Sequence, residues 1–140
     1  RAGELVALMP QGTIPRGPAF FDPVLKGRWG AAQLAAETGA QVIPVGLWGT
    51  EKVWPRSARL PDLLALRNPP TVQVRVGEPV IGLTGDADKD TNLIMRSIAA
   101  LLPAEARKRY EPTEDELRRT YPSSYTGDPD AETERRPGSD

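Results

Sequence analysis

Hydrophobic and polar positions divide the chain into a few short elements. Residues 5–9, LVALM, form an apolar run closed by Pro10 and predict a short buried strand. Residues 11–23 carry two glycines and three prolines and predict a loop. GRWGAAQLAAETGA (27–40) predicts a helix. Ala31, Leu34 and Ala35 recur at i, i+3 and i+4, alanine favours helix, and Gly39 is placed to cap the end. QVIPVGLW (41–48) predicts a second buried strand. Pro44 within it cannot donate to a ladder, so the strand should bulge there or run where no donor is needed. Strand, loop, helix, strand is a βαβ order, which predicts parallel strands joined by a right-handed crossover.

Residues 49–70 show no clear period. In TVQVRV (71–76) Val72, Val74 and Val76 alternate with Gln73 and Arg75, the pattern of a half-exposed strand near a sheet edge. DKDTNLIMRSIAALLP (88–103) predicts an amphipathic helix with Leu93, Ile94, Ile98, Leu101 and Leu102 on one face. Asp90 or Thr91 would cap its start, and Pro103 would help end it. From residue 111 the sequence turns charged and rich in Pro, Ser and Gly. This predicts a mobile tail over 111–140 with at most one short helix near 114–119, pinned by Tyr110, Tyr121 and Tyr125. The expected fold class is α/β: part of a mixed, largely parallel sheet flanked by helices over residues 1–110, followed by a disordered tail.

Composition narrows the chemistry. The 140 residues suffice for one modest domain with a core. Proline, at 15 residues, exceeds the usual ~5%. With no cysteine, disulfides and thiolate metal sites are excluded. With no histidine, the commonest general base and every histidine triad are excluded. No apolar run approaches the ~20 residues that span a bilayer. The chain opens on Arg1 with a strand pattern almost at once, and the expectation is that its true beginning lies upstream.

Charge is uneven. Residues 1–78 hold nine basic and six acidic side chains, a balance of +3; residues 79–140 hold nine basic and thirteen acidic, a balance of −4. A mildly basic front suits an anionic small molecule or a lipid headgroup surface. It is too weak for nucleic acid, and ordinary surface variation accounts for it equally well.

The densest chemical signal is MPQGTIPRGPAFFDPVLKGRWG (9–30), where a glycine-containing turn follows a strand and is set with cations. Backbone N–H groups of such a turn, with Arg16 and Lys26, could cradle an anion, and Gly27 at a helix start would let a phosphate approach the helix N-terminus. The plain alternative is a tight turn with two surface cations. Neither a Walker loop nor a dinucleotide fingerprint is spaced here.

LMPQGTIPRG (8–17), followed by LKGRWGAAQLAAETGAQVIPVGLWGTEKVWP (25–55), resembles the glycerophospholipid acyltransferase family, the PlsC-like lysophosphatidic acid acyltransferases. That family carries a hydrophobic strand, Pro-Glu-Gly-Thr and an Arg. A Lys-Gly with an Ala-rich helix comes next, then a Val-Pro-Val strand and a Gly-Thr turn. The same features run in the same order here, and VRVGEPV (74–80) with the helix after it extends the resemblance over roughly residues 4–103. The resemblance implies a glycerol-3-phosphate acyltransferase-like fold. It implies transfer of a fatty acyl group from acyl-CoA or acyl carrier protein (acyl-ACP) to lysophosphatidic acid in phospholipid biosynthesis. It places the parent enzyme peripherally at the cytoplasmic face of the cell membrane, with no bound cofactor or metal.

By resemblance, Gln11, Gly12 and Thr13 line the acceptor site, Arg16 takes the phosphate, and Lys26 with Gly27 adds to it. Pro44 and Val45 shape the acyl or acceptor pocket. Two departures stand out. Gln11 replaces the family's Glu, keeping a carbonyl acceptor without the charge. Ile14 and Pro15 separate Thr13 from Arg16, whereas the family's Arg follows the Thr directly. The family's catalytic His-x4-Asp lies well upstream of this block, so no catalytic residue is expected in this chain and the chain alone is expected to be inactive.

Other residues carry alternatives. Trp29, Trp48 and Trp54, with Phe20, Phe21, Leu60, Leu63 and Leu64, suit either a membrane-facing surface or core and cleft packing. RLPDLLALRNPP (59–70) is a candidate interfacial helix. Asp22 and Glu51 read as ordinary loop charges, and the charged clusters after residue 111 as solvated. Beside the acyltransferase stand a non-catalytic headgroup-binding or scaffolding relative and a domain of a fused multi-enzyme chain. If strands are missing from the sheet, the chain by itself should expose an apolar edge and associate.

Overall fold

The computed structural model describes residues 3–60 and 69–126. In chain order these hold a 3₁₀ turn, Gly17–Phe21, then α1 (Gly30–Thr38), β1 (Val45–Trp48), α2 (Thr50–Val53), β2 (Gln73–Val76), α3 (Ala87–Leu101), a second 3₁₀ turn, Ala104–Arg107, and α4 (Glu114–Arg119).

The sheet corrects the expected fold class. Among the described residues it has two strands, β1 and β2, paired antiparallel with Val45 opposite Val76 and Trp48 opposite Gln73. It is not a mixed, largely parallel sheet. Two features account for this. Residues 5–9 form no ladder, with Leu5 93% and Met9 77% exposed, so the βαβ unit lacks its first strand. A strand needs a neighbour for its backbone groups, and an apolar sequence run by itself supplies none. β1 instead finds its partner in the alternating valine segment. The pairing continues outside the ladder, where Gly77 donates to the Pro44 carbonyl and Val80 to the Val42 carbonyl, each at 2.9 Å.

The helices follow the sequence closely. α1 ends where expected: Gly39 adopts the left-handed conformation and its N–H donates to Ala35. Its buried side chains are Ala32 and Ala35, whose small size lets α1 lie close to α3. α3 spans nearly the predicted segment, but Asp86 caps it, accepting from the Lys89 N–H at 3.0 Å. Asp90, expected as a cap, is buried within the first turn of the helix. Its carboxylate accepts from the Thr84 and Gly85 N–H groups at 2.8 and 2.7 Å and so ties down the preceding loop.

Ile94, Met95 and Leu102 complete a small buried core with the α1 alanines. The sheet rests on the C-terminal end of α3 through glycine. A Cβ on Gly46 would come within 2.8 Å of the Leu101 Cβ, so only the bare backbone allows this approach. Val45 and Leu47, opposite Val76 and Val74, point away from α3 and leave one face of the sheet apolar and exposed.

After residue 110 the described chain includes α4, which contacts the Gly17–Phe21 turn. α4 occupies the short stretch expected to be helical. It opens on a capping box in which Thr113 accepts from the Glu116 N–H and the Glu116 carboxylate accepts from the Thr113 N–H. Its acidic first turn and basic last turn complement the helix dipole. All three tyrosines of this segment meet the earlier loop, as expected: Tyr110 packs on Phe21 with ring centroids 5.7 Å apart, Tyr121 places its hydroxyl against Gly17, and Tyr125 lies under the Arg16 guanidinium. No helix among the described residues is long and apolar enough to cross a membrane. Of the candidate interfacial helix at 59–70, residues 61–68, with Leu63 and Leu64, lie outside the described residues, as does the charged stretch beyond residue 126.

Candidate functional site

The chain turns back sharply after the apolar run at 5–9. Gly12 donates to the Met9 carbonyl at 2.9 Å and takes φ +67°, a conformation that a side chain would strain. The turn is then docked onto a segment sixteen residues on. The Arg28 N–H donates to the Pro10 carbonyl at 2.7 Å, and the Arg28 side chain lies across Gly12. A Cβ at Gly12 would sit 2.7 Å from Arg28 Cδ and 3.0 Å from Nε. Gly12 thus serves both the turn and the close approach of a cation.

This docking brings together most of the residues singled out in the sequence. Gln11, Gly12 and Thr13 form the turn, with Gln11 half-buried and Thr13 exposed. Lys26 is exposed on the neighbouring segment. Gly27 is buried, and its role is close packing: a Cβ there would come within 2.8 Å of both Met95 Cγ and Sδ and 3.0 Å of Thr91 Cγ2. Gly27 precedes α1, whose first residue is Gly30, and so does not open the helix N-terminus as expected.

Arg16 sits further along the loop. Its guanidinium carbon lies 5.2 Å from the centroid of the Tyr125 ring. The loop is held from both sides. Arg56 donates to the Ile14 carbonyl at 3.0 Å, and the Gly17 N–H donates to Thr120 Oγ1 at 2.7 Å.

Pro44 and Val45 belong to another part of the molecule. The Pro44 ring and Leu101 both crowd Gly77 at the C-terminal end of α3, whereas Gly27 rests on Thr91 and Met95. Six to ten residues of helix, about 9–15 Å, separate the two places along α3. Val45 faces outward on the exposed side of the sheet.

Arg28 is the residue that sequence reading passed over. Its signal was present in the Lys-Gly-Arg order of residues 26–28, but only the fold lays it on the Gly12 turn. A guanidinium laid over a glycine turn is a donor type suited to phosphate or carboxylate.

Of the aromatic residues with two expectations, Trp29 bonds at its indole to Asp88 at 2.8 Å and Trp54 donates to the Ala58 carbonyl at 3.1 Å. Phe20 and Phe21 meet edge to face, with centroids 5.2 Å apart. A cleft of about 520 Å³ opens beside them, lined by Pro18, Phe21, Asp22, Arg109 and Tyr110, and does not include the Gln11–Gly12–Thr13 turn. Asp22 accepts from the Val24 N–H at 2.9 Å, a local loop contact.

Among the described residues no three carboxylates gather into a group that would hold a metal ion. Three carboxyl groups are held below their ordinary range. For Asp86 the main cause is the backbone N–H of Lys89, for Asp90 that of Thr84, and for Glu116 that of Thr113, with the Tyr110 hydroxyl adding to it. All three act on structure, Asp86 and Asp90 at the start of α3 and in the loop before it, Glu116 on α4. Compared with protein-family models, curated proteins and solved structures, this chain matches none.

Proposed function

We propose that this chain is the acceptor-binding part of a glycerophospholipid acyltransferase. The whole enzyme moves a fatty acyl group from acyl-CoA or acyl-ACP to the free hydroxyl of lysophosphatidic acid, at the cytoplasmic face of a membrane. The acceptor hydroxyl attacks the thioester carbonyl, a histidine of an upstream His-x4-Asp pair takes its proton, and the thiol of the donor leaves. The part in hand binds the glycerol phosphate. The cations around the turn hold the phosphate, and the Gln11 side-chain carbonyl accepts from an acceptor hydroxyl.

The observation that carries this reading is the hydrogen bond from the Arg28 N–H to the Pro10 carbonyl. It joins the Pro-Gln-Gly-Thr turn to the Lys-Gly segment, the two blocks on which the resemblance rests. A mildly basic front half, at +3, agrees with an anionic acceptor (nine basic and six acidic side chains over residues 1–78).

The test is acyl transfer by the full-length protein, using lysophosphatidic acid and labelled acyl-CoA. Phosphatidic acid is expected, with Arg16→Ala and Arg28→Ala each raising the acceptor KM. Absence of transfer to any lysophospholipid would overturn the enzyme reading. Gln11 in place of the family's Glu favours the second reading, a module that binds phospholipid headgroups without catalysis. Phosphate-dependent binding without transfer, and activity gained on Gln11→Glu, would be its signature.

A further inference from the structure

The segment from Tyr110 to Tyr125 lies about a hundred residues from the Arg16 loop in sequence, yet it meets that loop at four places. The Gly17 N–H donates to Thr120 Oγ1 at 2.7 Å, and Thr120 is only 4% exposed. Thr120 is itself oriented, because its hydroxyl donates to the Leu117 carbonyl at 2.6 Å and so leaves a lone pair for Gly17. Tyr121 places its hydroxyl against Gly17, where a Cβ would come within 2.5 Å of it. Gly17 also holds φ +56°, so both its conformation and its lack of a side chain are used. Tyr125 presents its ring to the Arg16 guanidinium at 5.2 Å, and Tyr110 packs on Phe21 at 5.7 Å.

These contacts bear on the part of the loop that regular structure leaves unsupported. Residues 13–16 lie outside any helix or strand, so no regular element sets the path of the chain there. An arginine side chain loses rotamer freedom when fixed, and prior ordering reduces what a ligand must overcome.

We propose that Tyr125 and Thr120 are positioning residues for Arg16, and that the segment over residues 113–125 is a strap that preorganises phosphate binding at the Gln11–Arg16 loop. This rests on the acceptor reading above. Thr120 sets the backbone at Gly17, and Tyr125 sets the plane of the guanidinium. The strap therefore governs recognition of the acceptor phosphate, not the transfer step.

The test compares wild type, Arg16→Ala, Tyr125→Phe, Tyr125→Leu, Thr120→Ser, Thr120→Val and Arg16→Ala/Tyr125→Leu in the full-length protein. KM and kcat are measured with lysophosphatidic acid and with monoacylglycerol, which lacks the phosphate. Loss of a cation–π contact of ordinary strength corresponds to about fivefold. Tyr125→Leu should raise KM for lysophosphatidic acid by about that factor, with kcat and the monoacylglycerol constants unchanged. Tyr125→Phe and Thr120→Ser should stay within about twofold of wild type, since the ring and the hydroxyl are kept. Thr120→Val should raise the same KM and speed exchange of the Gly17 amide. In the Arg16→Ala background, Tyr125→Leu should add nothing.

An Arg16→Ala effect without a Tyr125→Leu or Thr120→Val effect would overturn the strap and leave the acceptor reading intact. A Tyr125→Leu effect that persists without Arg16, or that falls equally on monoacylglycerol, would overturn it as well. No effect of Arg16→Ala on lysophosphatidic acid would remove Arg16 from the acceptor site and the strap's role with it.

Discussion

Trp29 and Asp88, 59 residues apart, are joined by a hydrogen bond from the indole Nε1–H to a carboxylate oxygen at 2.8 Å. Trp29 immediately precedes α1, and Asp88 lies in the first turn of α3. The bond therefore fixes the N-terminal ends of the two helices together, on the side where Gly27 packs on Thr91 and Met95. It steadies the segment onto which the Gln11–Gly12–Thr13 turn docks.

Trp29→Phe keeps most of the ring and removes the donor. It is expected to cost about 1 kcal/mol, the ordinary net value of one hydrogen bond. Urea denaturation of the full-length protein, read as a lower midpoint at unchanged slope, checks this.

Gly27→Ala and Gly12→Ala should separate packing from binding. At Gly27 an added methyl meets the buried Met95 and Thr91 side chains, and overpacking of this kind costs about 1–3 kcal/mol. At Gly12 the obstacle is the flexible Arg28 side chain together with a φ of +67°, and the strain is about 1 kcal/mol. The Gly12 variant should remain the more stable of the two, yet lose more acceptor affinity because Arg28 is displaced. Thermal melts and acceptor KM measured side by side decide it.

Acid should loosen the start of α3 and α4. Asp86, Asp90 and Glu116 are all held below the ordinary carboxylate range by N–H donors. A depressed folded pKa means that the stabilisation is fully present above the unfolded value and is lost as pH falls through the folded one. Stability should therefore hold from neutral pH down to the unfolded carboxylate range, about pH 4, and fall below it. Asp90→Asn and Glu116→Gln should each flatten that acid limb while lowering stability at pH 7. No side chain of ordinary pKa titrates between pH 6 and 8, because the chain has no histidine or cysteine.

The 140-residue chain expressed by itself should associate. Val74 and Val76 are 60% and 68% exposed and share one face of the sheet with Val45 and Leu47. A contiguous apolar face of this kind invites association. Light scattering after gel filtration should report a mass above the monomer, and Val74→Lys with Val76→Glu should lower it. A monodisperse monomer with a cooperative melt would contradict the expectation. The same isolated chain should transfer no acyl group, having no histidine to act as base.

Much of the local structure was legible in the sequence because it depends on neighbours a few residues away. The i, i+3, i+4 spacing of Ala31, Leu34 and Ala35, with Gly39, marked α1 and its cap, although the helix buries Ala32 and Ala35 and leaves Leu34 exposed. The apolar face of α3 was readable for the same reason, as was the short charged helix α4 between Pro112 and Pro122. The strands were less readable. Alternating valines announced β2, but a strand's pattern does not name its partner, since pairing depends on residues far away in the chain. Residues 5–9 looked as strand-like as 45–48, and only the latter has a ladder.

The same division runs through the candidate site. The sequence by itself determined the turn at Gly12, the cations around it and the absence of a histidine, all of which follow from residue identity and short spacing. Only the tertiary structure decided that Arg28 lies over Gly12, that Gly27 serves packing, and that Thr120 and Tyr125 meet the Arg16 loop. Those contacts join residues 16 to 109 positions apart. Their formation depends on how α1 settles on α3 and how the C-terminal segment returns, which no local pattern encodes.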